Sequence, residues 1–119
     1  MIWRCFYTGL LTAASLTTLA GCHSYHIDTT IENRSGSAVK LLEVDYPNAS
    51  FGTDVIPSGA DYHYRFQIQG SGPIKIQYAL AGGKAANATG PSLHQGQEGK
   101  FLIVLLPNAK VQFQPELKP

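Results

Sequence analysis

From residue 25 onward the chain alternates apolar and polar side chains with a period of two, in short runs separated by turn residues, the signature of half-buried β-strands. In the first run, residues 25–32, Tyr25, Ile27 and Ile31 fall on one face and His26, Asp28, Thr30 and Glu32 on the other. The following Asn33-Arg34-Ser35-Gly36 is a turn by composition. A second run, residues 38–46, contains the doubled Leu41-Leu42, which breaks the alternation and predicts a β-bulge. Tyr46-Pro47-Asn48 closes it, and a weaker run over residues 50–56 leads to Pro57-Ser58-Gly59, where proline presets the φ angle of a tight turn.

The clearest strand comes next: Tyr62, Tyr64, Phe66 and Ile68 point one way, toward a core, and His63, Arg65, Gln67 and Gln69 point the other, toward solvent. Gly70-Ser71-Gly72-Pro73 turns the chain into residues 74–80, with Lys75 and Gln77 outward, and Gly82-Gly83 reads as a two-residue hairpin turn. The polar stretch 84–99 shows little pattern and has room for one edge strand near residues 85–89. Residues 101–106, Phe-Leu-Ile-Val-Leu-Leu, are apolar on both faces, and a last strand passes through Val111 and Phe113. Seven or eight short strands without a helical period predict an all-β fold, an antiparallel two-sheet sandwich of immunoglobulin-like or transthyretin-like type, with a small β-barrel as the alternative. The core Cys and Trp of antibody domains are missing, so the architecture alone is implied.

The first fifth of the chain has a different pattern. Arg4 is its only charge, and an uncharged, largely apolar run from Cys5 to Ala20 follows, as in an export signal. This run is shorter than the roughly 20 strongly apolar residues of a membrane-spanning helix, and five Ser and Thr dilute it. It ends in Leu19-Ala20-Gly21-Cys22, which resembles the lipobox of bacterial lipoproteins. That resemblance implies a signal peptide over residues 1–21, acylation of Cys22, and a mature domain over residues 22–119. In lipoproteins of this type an Asp directly after the acylated cysteine is an inner-membrane retention signal; here the position holds His23, which implies the outer membrane, facing the periplasm. The body is also similar in plan to small uncharacterised bacterial lipoproteins, and to secretion-system lipoproteins, that carry a β-sandwich close behind a lipobox.

Cysteine and charge narrow the classes further. Cys5 leaves with the signal and Cys22 is consumed by lipid, so the exported domain has to hold together by packing, without a disulfide. Without Arg4, the nine Lys and Arg fall to eight and match the eight Asp and Glu, so the domain is near neutral. Nucleic acid is not an expected partner, because the basic stripe that releases counterions is missing. The expected partners are the membrane, through lipid on Cys22, and an envelope protein.

Candidate chemistry is sparse, and neither an enzyme nor a cofactor is expected. His23, His26, His63 and His94 match no metal-motif spacing. Ser92 and His94 share a strand face, but no glycine-flanked serine elbow accompanies them. Asp54 and Asp61 flank the Pro57 turn, where acids most simply face solvent or cap the backbone. Two surfaces remain. His63, Arg65 and Gln67 form a candidate binding face for a small molecule or glycan. Phe101, Ile103 and Leu105, or their alternates on the same strand, form a candidate interface, since one face of a sandwich strand looks outward. Residues 84–99 are the expected cover for that outer face, with Leu93 as their only large aliphatic side chain, so partial exposure is expected. The function that follows is a lipid-anchored interaction or structural module of the cell envelope, with the small-molecule or glycan binder as its alternative.

Overall fold

The computed structural model describes residues 25–118; the leader, the Leu19-Ala20-Gly21-Cys22 motif and His23 lie outside the described residues. Eight strands follow one another: β1 (Ile27–Asn33), β2 (Val39–Tyr46), β3 (Ala49–Ile56), β4 (Asp61–Phe66), β5 (Ser71–Ala79), β6 (Ala85–His94), β7 (Glu98–Leu106) and β8 (Lys110–Lys118). They form two four-stranded sheets, one ordered β4-β1-β7-β8 and the other β3-β2-β5-β6. All pairings are antiparallel except β1 with β7. The fold is therefore the expected two-sheet sandwich. In the immunoglobulin constant-type fold the first strand shares a sheet with the second, fifth and fourth. Here β1 pairs with β4 and β7 while β2 and β5 lie in the other sheet, so the connectivity is not that of the immunoglobulin constant type.

Alternation sorts each strand's side chains between core and surface. Ile27 and Ile31 of β1, Ile74, Ile76 and Tyr78 of β5, and Phe101, Ile103 and Leu105 of β7 all lie in one core. Tyr25, expected on the inner face, is exposed, because it precedes β1 and so lies beyond the first rung that fixes which way a side chain points. The doubled leucine produces the expected irregularity: the β2–β5 register shifts between Lys40 and Glu43, Leu42 is buried, and Leu41 takes a positive φ of 51° and is 70% exposed.

Three expectations are corrected. Gly82-Gly83 does not make a two-residue hairpin: residues 81–83 form a short 3-10 turn, closed by Leu80 N–H donating to the Lys84 carbonyl at 2.7 Å. Ser71, Gly72 and Pro73 belong to β5 instead of to the turn before it, because they pair with the far end of β6. The edge strand expected near residues 85–89 is present but runs on for ten residues as β6, and it lies in the sheet opposite β7. It cannot cover the outer face of β7. Its Leu93 is instead buried in the core between the sheets.

Asn33, read from composition as a turn residue, is the last residue of β1 and is fully buried. Its side-chain amide donates to the carbonyls of Ser37 and Ile56 at 2.9 Å and of Pro57 at 3.2 Å. Its carbonyl oxygen accepts from Ser35 N–H at 3.1 Å, and the Ser35 hydroxyl lies 2.6 Å away. Backbone bonds from Asn33 N–H to Ala60 and from Gly59 N–H to Asn33 complete the junction. One side chain thus ties the β1–β2 turn to the β3–β4 crossover, and with it one sheet to the other.

Side chains close both open sides of the sandwich. Between β3 and β4, Phe51 stacks on Tyr64 with centroids 4.1 Å apart, and Phe66 lies 4.3 Å from Tyr46. Burial raises the Tyr46 phenol above its ordinary pKa, with Tyr64 adding to the shift. Between β6 and β8, Gly90 leaves room for Phe113: a Cβ there would sit 2.8 Å from that ring and 2.7 Å from Ile74. Phe113 in turn meets Phe101 edge-on at 6.2 Å.

Candidate functional site

Polar residues of four strands come together on the outer face of the β4-β1-β7-β8 sheet, with His63 and Arg65 of the sequence-selected set among them, and register fixes which are neighbours. Asp28 of β1 pairs with Arg65 of β4 on one side and with Lys100 of β7 on the other, and Lys100 pairs with Glu116 of β8. All four are exposed. They make one rung across the sheet whose charges alternate plus, minus, plus, minus. Opposite charges facing each other across strands contribute roughly 0.2 to 1 kcal/mol per pair. Arg65 Nε and the Asp28 carboxylate lie 3.5 Å apart with both side chains well exposed, so solvent holds that pair to the low end.

The next rung is His63, Thr30, Leu102 and Gln114, in which the Thr30 hydroxyl and His63 Nδ1 lie 3.1 Å apart. A third rung runs Asp61, Glu32, Val104 and Gln112, and Arg34 reaches back to Asp61 at 3.4 Å and to Glu32 at 3.7 Å. Along β7 the outward members of these rungs, with Leu106 beyond them, form an aliphatic strip. Val104 is only 8% exposed although no second layer among the described residues covers that face, while Leu102 and Leu106 are half-buried. Val104 is flanked by Glu32 and Gln112, long side chains whose methylene stems can shield an aliphatic neighbour while their ends stay in water.

The structure thus separates the two sequence-selected surfaces. His63 and Arg65 are exposed on β4, as alternation requires, whereas Gln67 lies past the end of that strand. Phe101, Ile103 and Leu105 are 0 to 1% exposed and belong to the core, so no partner can reach them. Their alternates Leu102, Val104 and Leu106 are the outward set. A shallow groove of about 330 Å³ runs over the middle of the face beside Leu102, between Asp28 and Glu116.

The remaining candidates stay apart. Asp54 is exposed on β3, in the other sheet, while Asp61 is held by Arg34. Ser92 and His94 are both exposed on β6, where the His94 backbone N–H donates to Gln97 Oε1 at 2.9 Å and the ring faces the Gln95 carbonyl at 3.4 Å. Among the described residues no group of three or more His, Cys, Asp or Glu could hold a metal ion, and no helix is long and apolar enough to cross a membrane.

No protein-family model and no curated protein matches the chain. Among solved structures it is similar to a protein from Eubacterium rectale determined by NMR, with a TM-score of 0.57 and 14% identity over 81% of this chain and 95% of that one. At that identity the likeness carries the sandwich fold and nothing further.

Proposed function

We propose that the protein is a lipid-anchored module of the cell envelope that acts by presenting a sheet surface to other envelope proteins. The observation that carries this reading is the Leu19-Ala20-Gly21-Cys22 sequence at the end of an uncharged apolar run, set immediately before a sandwich whose β1 begins at Ile27. Four residues between Cys22 and β1, at no more than about 3.6 Å each, hold the domain against the bilayer. By resemblance to lipoproteins with a residue other than Asp after the cysteine, that bilayer is the outer membrane, on its periplasmic side.

An anchor of several acyl chains, at roughly 0.8 kcal/mol per buried methylene, makes attachment effectively permanent, whereas a single chain is marginal. Cys22→Ser therefore releases the protein from the membrane fraction or leaves it unprocessed. If Cys22→Ser fractionates and matures as the unaltered chain does, the anchor reading fails. Co-purification from crosslinked membranes tests the second half of the proposal: the interaction reading expects a protein adduct, and a chain recovered only with a small molecule or glycan points instead to the His63 and Arg65 edge of the face.

A further inference from the structure

The rung Arg65, Asp28, Lys100, Glu116 has a symmetry that bears on self-association. Read across the sheet from β4 to β8 it carries plus, minus, plus, minus, so its mirror order is its own complement. From this we infer that two copies of the chain associate face to face through the outer surface of the β4-β1-β7-β8 sheet, about a two-fold axis that runs along the strands between β1 and β7.

Such an axis keeps height along the strands and exchanges left for right, so Arg65 faces the second copy's Glu116 and Asp28 faces its Lys100, with the reciprocal pairs formed by symmetry. Four opposite-charge contacts arise from one rung. An axis across the strands would carry that rung to the other end of the face, where Asp61 and Glu32 lie. The aliphatic strip fits the same arrangement. The two β7 strands flank the axis, so Leu102 of each copy lies beside Leu102 of the other, and half-buried leucines that lack cover among the described residues are covered by the second copy. Glu32 sits beside the strip, and Arg34 already engages its carboxylate.

Size and tether agree. Four strands about 4.8 Å apart and about eight residues long at roughly 3.3 Å each give a face of roughly 500 Å² per copy. That is close to the total of about 1,000 Å² that separates specific interfaces from incidental ones, and so describes a weak dimer that gains from confinement on a shared surface. Ile27, where β1 starts, is at the same end in both copies, so both tethers leave toward one membrane. This last point rests on the lipid-anchor reading; the charge complementarity stands on register alone.

The experiment is trans-complementation by charge reversal, using the full chain purified in detergent and followed by sedimentation. The unaltered chain forms a dimer. Asp28→Lys sets positive charge against positive charge and Lys100→Asp sets negative against negative, so each variant alone loses self-association at least tenfold. An equimolar mixture of the two restores it, because position 28 of either chain then meets the opposite charge at position 100 of the other. Arg65→Glu mixed with Glu116→Arg repeats the test at the outer positions; each reversal also sets like charges side by side within its own sheet, so the single variants melt a few degrees below the unaltered chain but stay folded at the temperature of sedimentation. A monomeric unaltered chain, single variants that still dimerise, or a mixture that stays monomeric overturns the proposal. The mass of the purified chain separates the two readings: an unacylated chain that passes the mixing test keeps the interface and loses the anchor, and an acylated chain that fails it does the reverse.

Discussion

Asn33→Ala is the substitution that most severely tests the description of the fold, because one buried side chain links the two sheets. The change removes three donated bonds and leaves the Ile56 carbonyl buried without that partner. An unsatisfied buried acceptor costs about 1 to 3 kcal/mol. The Ser37 and Pro57 carbonyls and the Ser35 amide are only partly buried and can recruit water, so each adds nearer to the net worth of a hydrogen bond, about 0.5 to 1.5 kcal/mol. Together these give an expected loss of about 2.5 to 7.5 kcal/mol, a large share of the roughly 5 to 15 kcal/mol that stabilises a typical domain. For a domain of this length each kcal/mol moves the melting temperature by roughly 4 to 8 °C. Urea melts of Asn33→Ala beside Ser35→Ala make the comparison internal, with Ser35→Ala expected to cost about 1 kcal/mol. A loss below about 1 kcal/mol for Asn33→Ala would refute the role assigned to it.

Other expectations follow from burial. Phe66→Ala removes a side chain that is 4% exposed and is expected to cost about 3 to 5 kcal/mol, while exposed Gln67→Ala stays within about 0.5; equal small effects in urea would overturn the face assignment. The Tyr78 hydroxyl and Thr29 Oγ1 are buried without hydrogen-bond partners, so Tyr78→Phe and Thr29→Val are each expected to stabilise by about 1 kcal/mol, and a loss in calorimetry would show that those atoms are satisfied in solution. Gly90→Val drives atoms into Phe113 and Ile74 and is expected to cost about 1 to 3 kcal/mol in urea melts; a loss within about 0.5 kcal/mol would show that the ring moves aside freely. Burial raises the Tyr46 and Tyr78 phenols, so their neutral forms contribute stability that is complete below the ordinary tyrosine pKa and is lost as pH rises through the higher folded values. Stability measured against pH should therefore fall above about 10, less steeply in Tyr78→Phe.

Local alternation makes most of the sandwich legible. Phe66, Ile74 to Tyr78 and the Leu41-Leu42 break each declare their geometry, since period two needs only neighbours along the chain, whereas Tyr64, expected on the core face, is 37% exposed because β4 is an edge strand. The strand β6 is mostly hidden because three of its inward positions are the small residues Ala86, Ala88 and Gly90, the last kept small by the Phe113 ring, and Leu93 near its end is its one large inward side chain, too little to show a period. The Asn33 junction reads only as a turn, because its partners at Ile56 and Pro57 lie more than twenty residues away. The surface is legible in parts. Arg65 and His63 stand out as an exposed face, but Asp28, Lys100 and Glu116 come from strands far apart in the chain, and only register places them in one rung. The apolar strand at residues 101–106 declares two apolar faces, yet alternation alone cannot say which set faces inward; the β1–β7 pairing, which sets Phe101 beside Thr29 and Ile103 beside Ile31, decides it.

The proposed envelope role rests above all on the proposed acylation of Cys22, inferred from the Leu19-Ala20-Gly21-Cys22 sequence. The intact mass of the mature chain extracted from membranes of a native host measures this directly. Loss of residues 1–21 together with added mass from acyl chains on Cys22 is the predicted result. A chain that keeps its leader, is cut elsewhere, or begins with an unmodified Cys22 would contradict it.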